Sequence, residues 1–137
     1  MKVFFDSSAY AKRFYNEAGS DEVDNICANA SELILSTLAI PEIISSLSRK
    51  KREGNIPEKD YINARSKLYN EAKDAVLIRI DSLILDNTIN LLEKFPLRTL
   101  DAIHIASAID SEVDLFVTSD KKQHEVALKS GLQVKYI

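Results

Sequence analysis

Short apolar runs alternate with longer segments in which apolar residues recur at helical spacing. The runs predict β-strands at 2–5, 33–36, 76–80, 115–118 and 133–136. Helices are predicted at 7–16, 20–30, 37–52, from about 57 to 72, and at 82–94, 100–110 and 121–130. Because strands and helices alternate repeatedly, the pattern predicts an α/β fold with a parallel sheet and right-handed crossovers.

Two of the predicted helices follow one another with no strand between them. The second begins near Pro57, whose fixed φ suits the start of a helix. This helix carries an apolar stripe that the sheet does not need to bury, formed by Tyr61, Ile62, Leu68 and Tyr69. We therefore predict an inserted helical hairpin whose stripe contacts another protein chain.

Four acidic residues stand where an apolar segment meets a turn or a helix start. Asp6 and Asp120 each follow a predicted strand. Side chains at the carboxyl ends of parallel strands project into one crevice, so these two acids are predicted neighbours. Glu42 and Asp101 lie near the starts of helices, and Thr99 is the predicted N-cap of the second.

Two interpretations of these acids are open. An acid in the first turn stabilises a helix by a few tenths of a kcal/mol up to about 1 kcal/mol, which suits Asp6 and Asp101. All four acids, however, belong to apolar segments. Carboxylates clustered there without a counter-charge raise one another's pKa values, so a cluster implies a cation. Oxygen-only ligands suit Mg²⁺ or Mn²⁺.

The acids lie within four short motifs that span nearly the whole chain. The motifs are FFDSSA at 4–9, LAIPEI at 38–43, LRTLDAIHIA at 97–106 and LFVTSDKK at 115–122. In this order and spacing they resemble the PIN-domain nucleases, and in particular the VapC-type toxins of prokaryotic toxin–antitoxin pairs. The resemblance implies a three-layer α/β/α sandwich with a mostly parallel sheet. It also implies Mg²⁺- or Mn²⁺-dependent endonucleolytic cleavage of RNA.

By the same resemblance, the family's acidic quartet falls on Asp6, Glu42, Asp101 and Asp120. Ser8 and Thr118 match the supporting hydroxyls. We expect Asp6 and Asp101 to be the main metal ligands, with the other two acids binding through water or holding a second ion. The family implies that water is the nucleophile, so that the products carry 3′-hydroxyl and 5′-phosphate ends. A homodimer and an antitoxin partner are also implied.

Composition is compatible with this function without requiring it. The 137 residues are 45% hydrophobic and 28% charged, and we predict one domain over 1–137. A chain of this length buries roughly 68% of its unfolded surface. The single Cys27 excludes an intramolecular disulfide and a cysteine-based zinc cluster. No apolar run has the length of a signal peptide or a membrane span, so we predict a cytoplasmic protein with no membrane partner.

A net charge of −3 argues against a protein that holds RNA by its overall charge. Contact with RNA is therefore predicted to be local, above all at the basic run Arg49, Lys50, Lys51 and Arg52. The same run closes a predicted helix, where positive charge offsets the helix dipole and Gly54 can end it. Helix capping and RNA contact both remain open for this run.

Aromatic and imidazole side chains near the acids have simpler explanations than catalysis. His104 lies one helical turn from Asp101, and a packing or supporting role is favoured. Tyr10, Phe14 and Tyr15 recur at helical spacing and are predicted core or interface residues, with base stacking the less favoured alternative.

Two other functions remain open. A phosphoacceptor receiver-like signalling domain is also a small α/β fold with an acidic Mg²⁺ pocket, and Asp81 could be its acceptor. That function needs a second acid beside Asp6, where the chain has Ser7 and Ser8. A non-catalytic PIN interaction module is the other alternative, although such modules generally lose acids from the quartet.

Overall fold

A parallel sheet of five strands forms the centre of the molecule in a computed structural model that describes residues 1–137. The strands are β1 (Lys2–Phe5), β2 (Glu32–Ser36), β3 (Val76–Ile78), β4 (Leu115–Thr118) and β5 (Val134–Tyr136). Their order across the sheet is β3-β2-β1-β4-β5, and every neighbouring pair is parallel. The predicted strands are all confirmed, although β3 is shorter than the sequence indicated.

Seven helices connect and cover the strands. They are α1 (Ser7–Tyr10), α2 (Ser20–Asn29), α3 (Ala39–Arg52), α4 (Glu58–Ala72), α5 (Ser82–Lys94), α6 (Thr99–Asp110) and α7 (Lys121–Lys129). The long helix predicted at 7–16 is wrong, because α1 ends at Tyr10 and only a 3-10 turn, Ala11–Arg13, follows it. Thr99 is likewise not an N-cap. Arg98 holds the extended N-cap position of α6, and Thr99 is the first helical residue.

Successive side chains of each strand point to opposite faces of the sheet, and this divides the core into two layers. Val3 and Phe5 of β1 pack on one face of the sheet, against α1, α2, α3 and α4. Phe4 packs on the other face, against α5, α6 and α7, and stacks on Phe116 of β4 with the ring centroids 5.6 Å apart. The predicted three-layer α/β/α sandwich is therefore confirmed.

The predicted hairpin of α3 and α4 forms, but only half of its apolar stripe is free. Leu68 is fully buried in the core, and the Tyr61 hydroxyl lies 3.3 Å from Ser48 Oγ of α3. Ile62 and Tyr69, by contrast, are 51% and 43% exposed. The sequence could not separate these pairs, because all four residues share one broad helical face.

No helix of the molecule combines the length and apolar character needed to cross a membrane.

Candidate active site

Asp6 is fully buried at the carboxyl end of β1, where it is also the N-cap of α1. Its Oδ1 accepts a hydrogen bond from the Ala9 backbone N–H at 2.9 Å, and its Oδ2 accepts one from Thr118 Oγ1 at 2.6 Å. The Ser8 hydroxyl lies 2.8 Å from both oxygens. Burial raises the pKa of Asp6 in spite of these donors. The charge on this carboxylate is therefore incompletely compensated.

Asp120 lies at the same edge of the sheet as Asp6 because β1 and β4 are neighbouring parallel strands, with Phe5 opposite Val117. The Asp120 carboxylate caps α7 by accepting from the Gln123 backbone N–H at 2.8 Å. Its own backbone N–H donates to Thr118 Oγ1 at 3.0 Å. Helix capping and membership of an acidic site are thus compatible for this residue.

Glu42 reaches the same edge of the sheet from the first turn of α3. Its Oε1 accepts from Ser7 Oγ at 2.7 Å and lies 2.6 Å from His104 Nε2. Burial alone would raise the pKa of Glu42, but the contacts with His104 and Ser7 outweigh burial and lower it. Glu42 is therefore held as a carboxylate.

His104 has a partner that the sequence did not indicate. It is 1% exposed and contacts Glu42, which is 62 positions away in the chain, and its Nδ1 is buried without a hydrogen-bond partner. The sequence related His104 only to Asp101, one turn away on the same helix. The supporting role is consistent with this geometry, but nothing in the local pattern could identify Glu42 as the partner.

Asp101 is nearly buried in the first turn of α6. Its Oδ1 accepts from Gln123 Nε2 at 3.0 Å, and its Oδ2 lies 3.4 Å from Nε of Arg98, whose side chain is 84% exposed. Burial raises the pKa of Asp101, the charge of Asp120 raises it further, and Arg98 opposes both. Gln123, which sequence reasoning missed, is buried and leaves its Oε1 without a partner.

Three acids of the quartet, Glu42, Asp101 and Asp120, line one cleft of about 250 Å³. Asp6 joins them through Ser8, which also lines the cleft. As the side chains lie, no three His, Cys, Asp or Glu side chains converge closely enough to hold one ion. Each acid instead accepts hydrogen bonds from protein donors, so shared binding of an ion requires some of these bonds to be exchanged for it.

The donor set nevertheless fits a hard divalent cation. The oxygen donors around the cleft are carboxylates and hydroxyls, with the unpartnered amide oxygen of Gln123 beside them, and Lys50, Arg98 and His104 also line it. Oxygen donors of this kind are the ligands that Mg²⁺ and Mn²⁺ take in proteins. Burial is the main cause of the raised pKa values of Asp6 and Asp101, and Arg98 offsets it only in part at Asp101, so a nearby cation would favour the ionised forms.

The four residues of the basic run at the end of α3 lie in different surroundings. Lys50 lines the acidic cleft, whereas Arg49 lines a neighbouring groove of about 640 Å³. Lys51 forms an ion pair with Glu58 at 3.0 Å, and Arg52 is exposed. All four lie in the last turn of the helix, which suits helix capping. Only the tertiary structure separates Lys50 and Arg49 from the other two.

Known proteins resemble this chain in sequence and in fold. The family model described as PIN domain matches residues 3–129. Ribonuclease VapC46 from Mycobacterium tuberculosis is 31% identical over 134 residues, which cover 96% of this chain and 95% of that protein.

Two solved structures illustrate the likeness in fold. VapC20 from Mycobacterium tuberculosis, a toxin that cleaves the sarcin-ricin loop, has a TM-score of 0.72 at 12% identity, covering 96% of each chain. DNA-bound VapBC from Salmonella typhimurium has a TM-score of 0.72 at 13% identity, covering 99% of this chain and 98% of that chain.

Proposed function

The chain belongs to the PIN domain family, and from this premise we propose that it is a metal-dependent endoribonuclease and the toxin of a toxin–antitoxin pair. The observation that carries the proposal is the convergence of Glu42, Asp101 and Asp120 on one cleft, with Asp6 buried at its edge. The name of the relative VapC46, a ribonuclease, supports RNA as the substrate.

The acidic quartet is proposed to hold Mg²⁺ or Mn²⁺, with Asp6 and Asp101 as the main ligands. When bound, such an ion lowers the pKa of a water molecule and offsets negative charge on the phosphate. Ser8 and Thr118 fix both oxygens of Asp6, and Gln123 fixes one oxygen of Asp101. These hydrogen bonds orient the carboxylates before substrate arrives.

Glu42 is proposed to act on the water that attacks the phosphate. Ser7 and His104 both contact its Oε1, which leaves Oε2 free to accept a hydrogen bond from that water. Its lowered pKa keeps it in the accepting, ionised form. Attack by water forms a new P–O bond while the bond to the 3′ oxygen breaks. The attacking water gives a proton to Glu42, the 3′ oxygen takes up a proton from solvent, and the products end in 3′-hydroxyl and 5′-phosphate.

Incubation of the purified protein with RNA and Mn²⁺ tests this proposal. We expect cleavage with Mn²⁺ or Mg²⁺, none in EDTA, and continued cleavage of an oligonucleotide with one 2′-deoxy sugar at the cut site, because the 2′-hydroxyl is not the nucleophile. Gel electrophoresis measures cleavage under each condition, and end-group analysis identifies the ends of the products. If instead a small phosphodonor transfers a labelled phosphate to the protein and no RNA is cleaved, the receiver-like alternative is favoured. Asp81, the acceptor in that alternative, caps α5 and does not line the acidic cleft.

An antitoxin and a second copy of this chain are the proposed protein partners. The exposed side chains of Ile62 and Tyr69 on the hairpin offer apolar surface for the antitoxin. A toxin–antitoxin complex from Klebsiella pneumoniae is among the structures with a similar fold, which supports the antitoxin as a partner.

Co-expression with the protein encoded beside this gene is expected to yield a stable complex that contains two copies of the chain. Replacement of both Ile62 and Tyr69 by lysine should weaken co-purification of the antitoxin, because two charges would be buried in an apolar contact. Leu128→Lys, at a position that is 49% exposed on α7, is the matched control. Light scattering measures the mass. A lone monomer at micromolar concentration contradicts the dimer, and unchanged capture by the double variant contradicts the antitoxin surface.

A further inference from the structure

One side of α3 carries an acid at one end of the cleft and a lysine at the other. Glu42, Ser46 and Lys50 follow one another at intervals of four residues, and all three line the cleft. Residues four apart share one face of a helix. Glu42 and Lys50 are thus separated by about 12 Å along the helix axis.

The ammonium group of Lys50 lies over an aromatic ring and has no anionic partner. Its Nζ lies 4.2 Å from the centroid of the Tyr15 ring, which also lines the cleft. A cation over an aromatic face is attracted by the ring and keeps its N–H donors. Lys50 forms no ion pair. Glu17, the acid of the cleft that is nearest to Tyr15 in the chain, is paired with Lys12 at 3.3 Å.

We propose that Lys50, positioned by Tyr15, binds a phosphate of the RNA strand beyond the phosphate that is cut. The inference rests on the proposed endoribonuclease function, which it deepens by assigning a second contact to the strand. The carboxylates of the cleft repel a polyanion, and while Arg98 of the lining is paired with Asp101, Lys50 supplies an unpaired cation about 12 Å from Glu42 along the helix. Two separated contacts with the backbone set the direction and register of the strand.

Replacement of Lys50 tests this assignment. In Lys50→Gln, KM for a single-stranded RNA should rise about tenfold, which corresponds to about 1.4 kcal/mol, with kcat nearly unchanged. RNA binding by the same variant should also depend less on salt. The slope of log K against log salt should fall in magnitude by about 0.7, the value for one phosphate contact to a single strand. Steady-state kinetics and fluorescence anisotropy at several salt concentrations give both quantities.

Lys94→Gln is the matched control. Lys94 is also a lysine in the last turn of a helix, with its Nζ 5.4 Å from an aromatic centroid, that of Phe95, but it does not line the cleft. Tyr15 acts through Lys50, so Tyr15→Leu should reproduce the rise in KM, whereas Tyr15→Phe, which keeps the ring, should behave as wild type.

Equal changes in Lys50→Gln and Lys94→Gln would mean that overall charge is responsible and would overturn the inference, while cleavage by the wild type would leave the proposed function standing. A fall in kcat with KM unchanged also overturns it, since Lys50 would then act on the chemical step. Failure of the wild type to bind or cleave RNA overturns both proposals together.

Discussion

Asp101→Asn is expected to reduce the rate of RNA cleavage by about 10²–10³-fold, the range for removal of one preorganised electrostatic group. The substitution keeps the size of the side chain and the oxygen that accepts from Gln123, but it removes the negative charge that would bind the cation. Asp6→Asn should have an effect of at least this size, because Asp6 is fully buried and the change also disturbs its contacts with Ser8 and Thr118. Initial rates with saturating Mn²⁺ measure both.

Asp81→Asn controls for the loss of an aspartate at a helix start. Asp81 caps α5 through the Ile84 backbone N–H at 2.9 Å and lies outside the cleft. Because asparagine is as good an N-cap as aspartate, this variant should retain full activity. Undiminished cleavage by a correctly folded Asp101→Asn variant would rule out the metal-based mechanism.

Asp101→Asn is also expected to raise the melting temperature in EDTA, although it removes a charged residue from an ion pair with Arg98. Burial raises the pKa of Asp101 above the ordinary value of 3.8, so the folded state binds the proton more tightly than the unfolded state. The stabilisation from that proton is lost as pH rises through the folded-state pKa. At neutral pH the ionised carboxylate therefore destabilises the fold, and the neutral amide relieves this. The gain should shrink as pH falls through 3.8, because aspartate then becomes protonated in the unfolded state as well.

Mn²⁺ should reverse the order. A ligand that binds only the folded protein stabilises it by about 2.7 kcal/mol at a hundredfold excess over Kd. For a domain of this size, that corresponds to a rise in Tm on the order of 10 °C. Asp101→Asn should gain much less, because it lacks one proposed ligand. Asp120→Asn should follow the same pattern, since asparagine keeps the cap on α7 while the charge is removed.

Melting curves in EDTA and in Mn²⁺, at neutral pH and at about pH 3.5, separate these effects, with Asp81→Asn as the control that should match wild type throughout. If both site variants melt below wild type in EDTA, and Mn²⁺ shifts all the proteins equally, the acids serve only to stabilise helices and the acidic-cluster hypothesis is wrong.

The sequence by itself determined the layered fold and the edge of the sheet where the acids meet. Strand runs such as 2–5 and 115–118 have a local periodicity, and the chirality of crossovers permits few arrangements of alternating strands and helices. Asp6 directly follows the first of these strands and Asp120 comes two residues after the second, so their place at one edge of the sheet followed once the strands were predicted to be parallel. Glu42 and Asp101 approach from helices, so only their place near helix starts in apolar segments indicated them, and the resemblance to the PIN domain then assigned them to the same site.

Only the tertiary structure decided which side chains meet. The contact of His104 with Glu42, and that of Gln123 with Asp101, join residues 62 and 22 positions apart. Periodicity assigns a residue to a face of its own helix, but the partner of that face depends on how the helices pack on the sheet.

Dependence on packing also explains the wrong helix prediction at 7–16 and the two explanations left open for the basic run. The helix predicted at 7–16 gives way to a 3-10 turn after Tyr10, a residue that is fully buried in the core. The basic run could not be divided by sequence, since its four residues are adjacent and alike in charge. A difference of one position turns a side chain by about 100° around a helix, and this rotation places Lys50 in the acidic cleft while Lys51 pairs with Glu58.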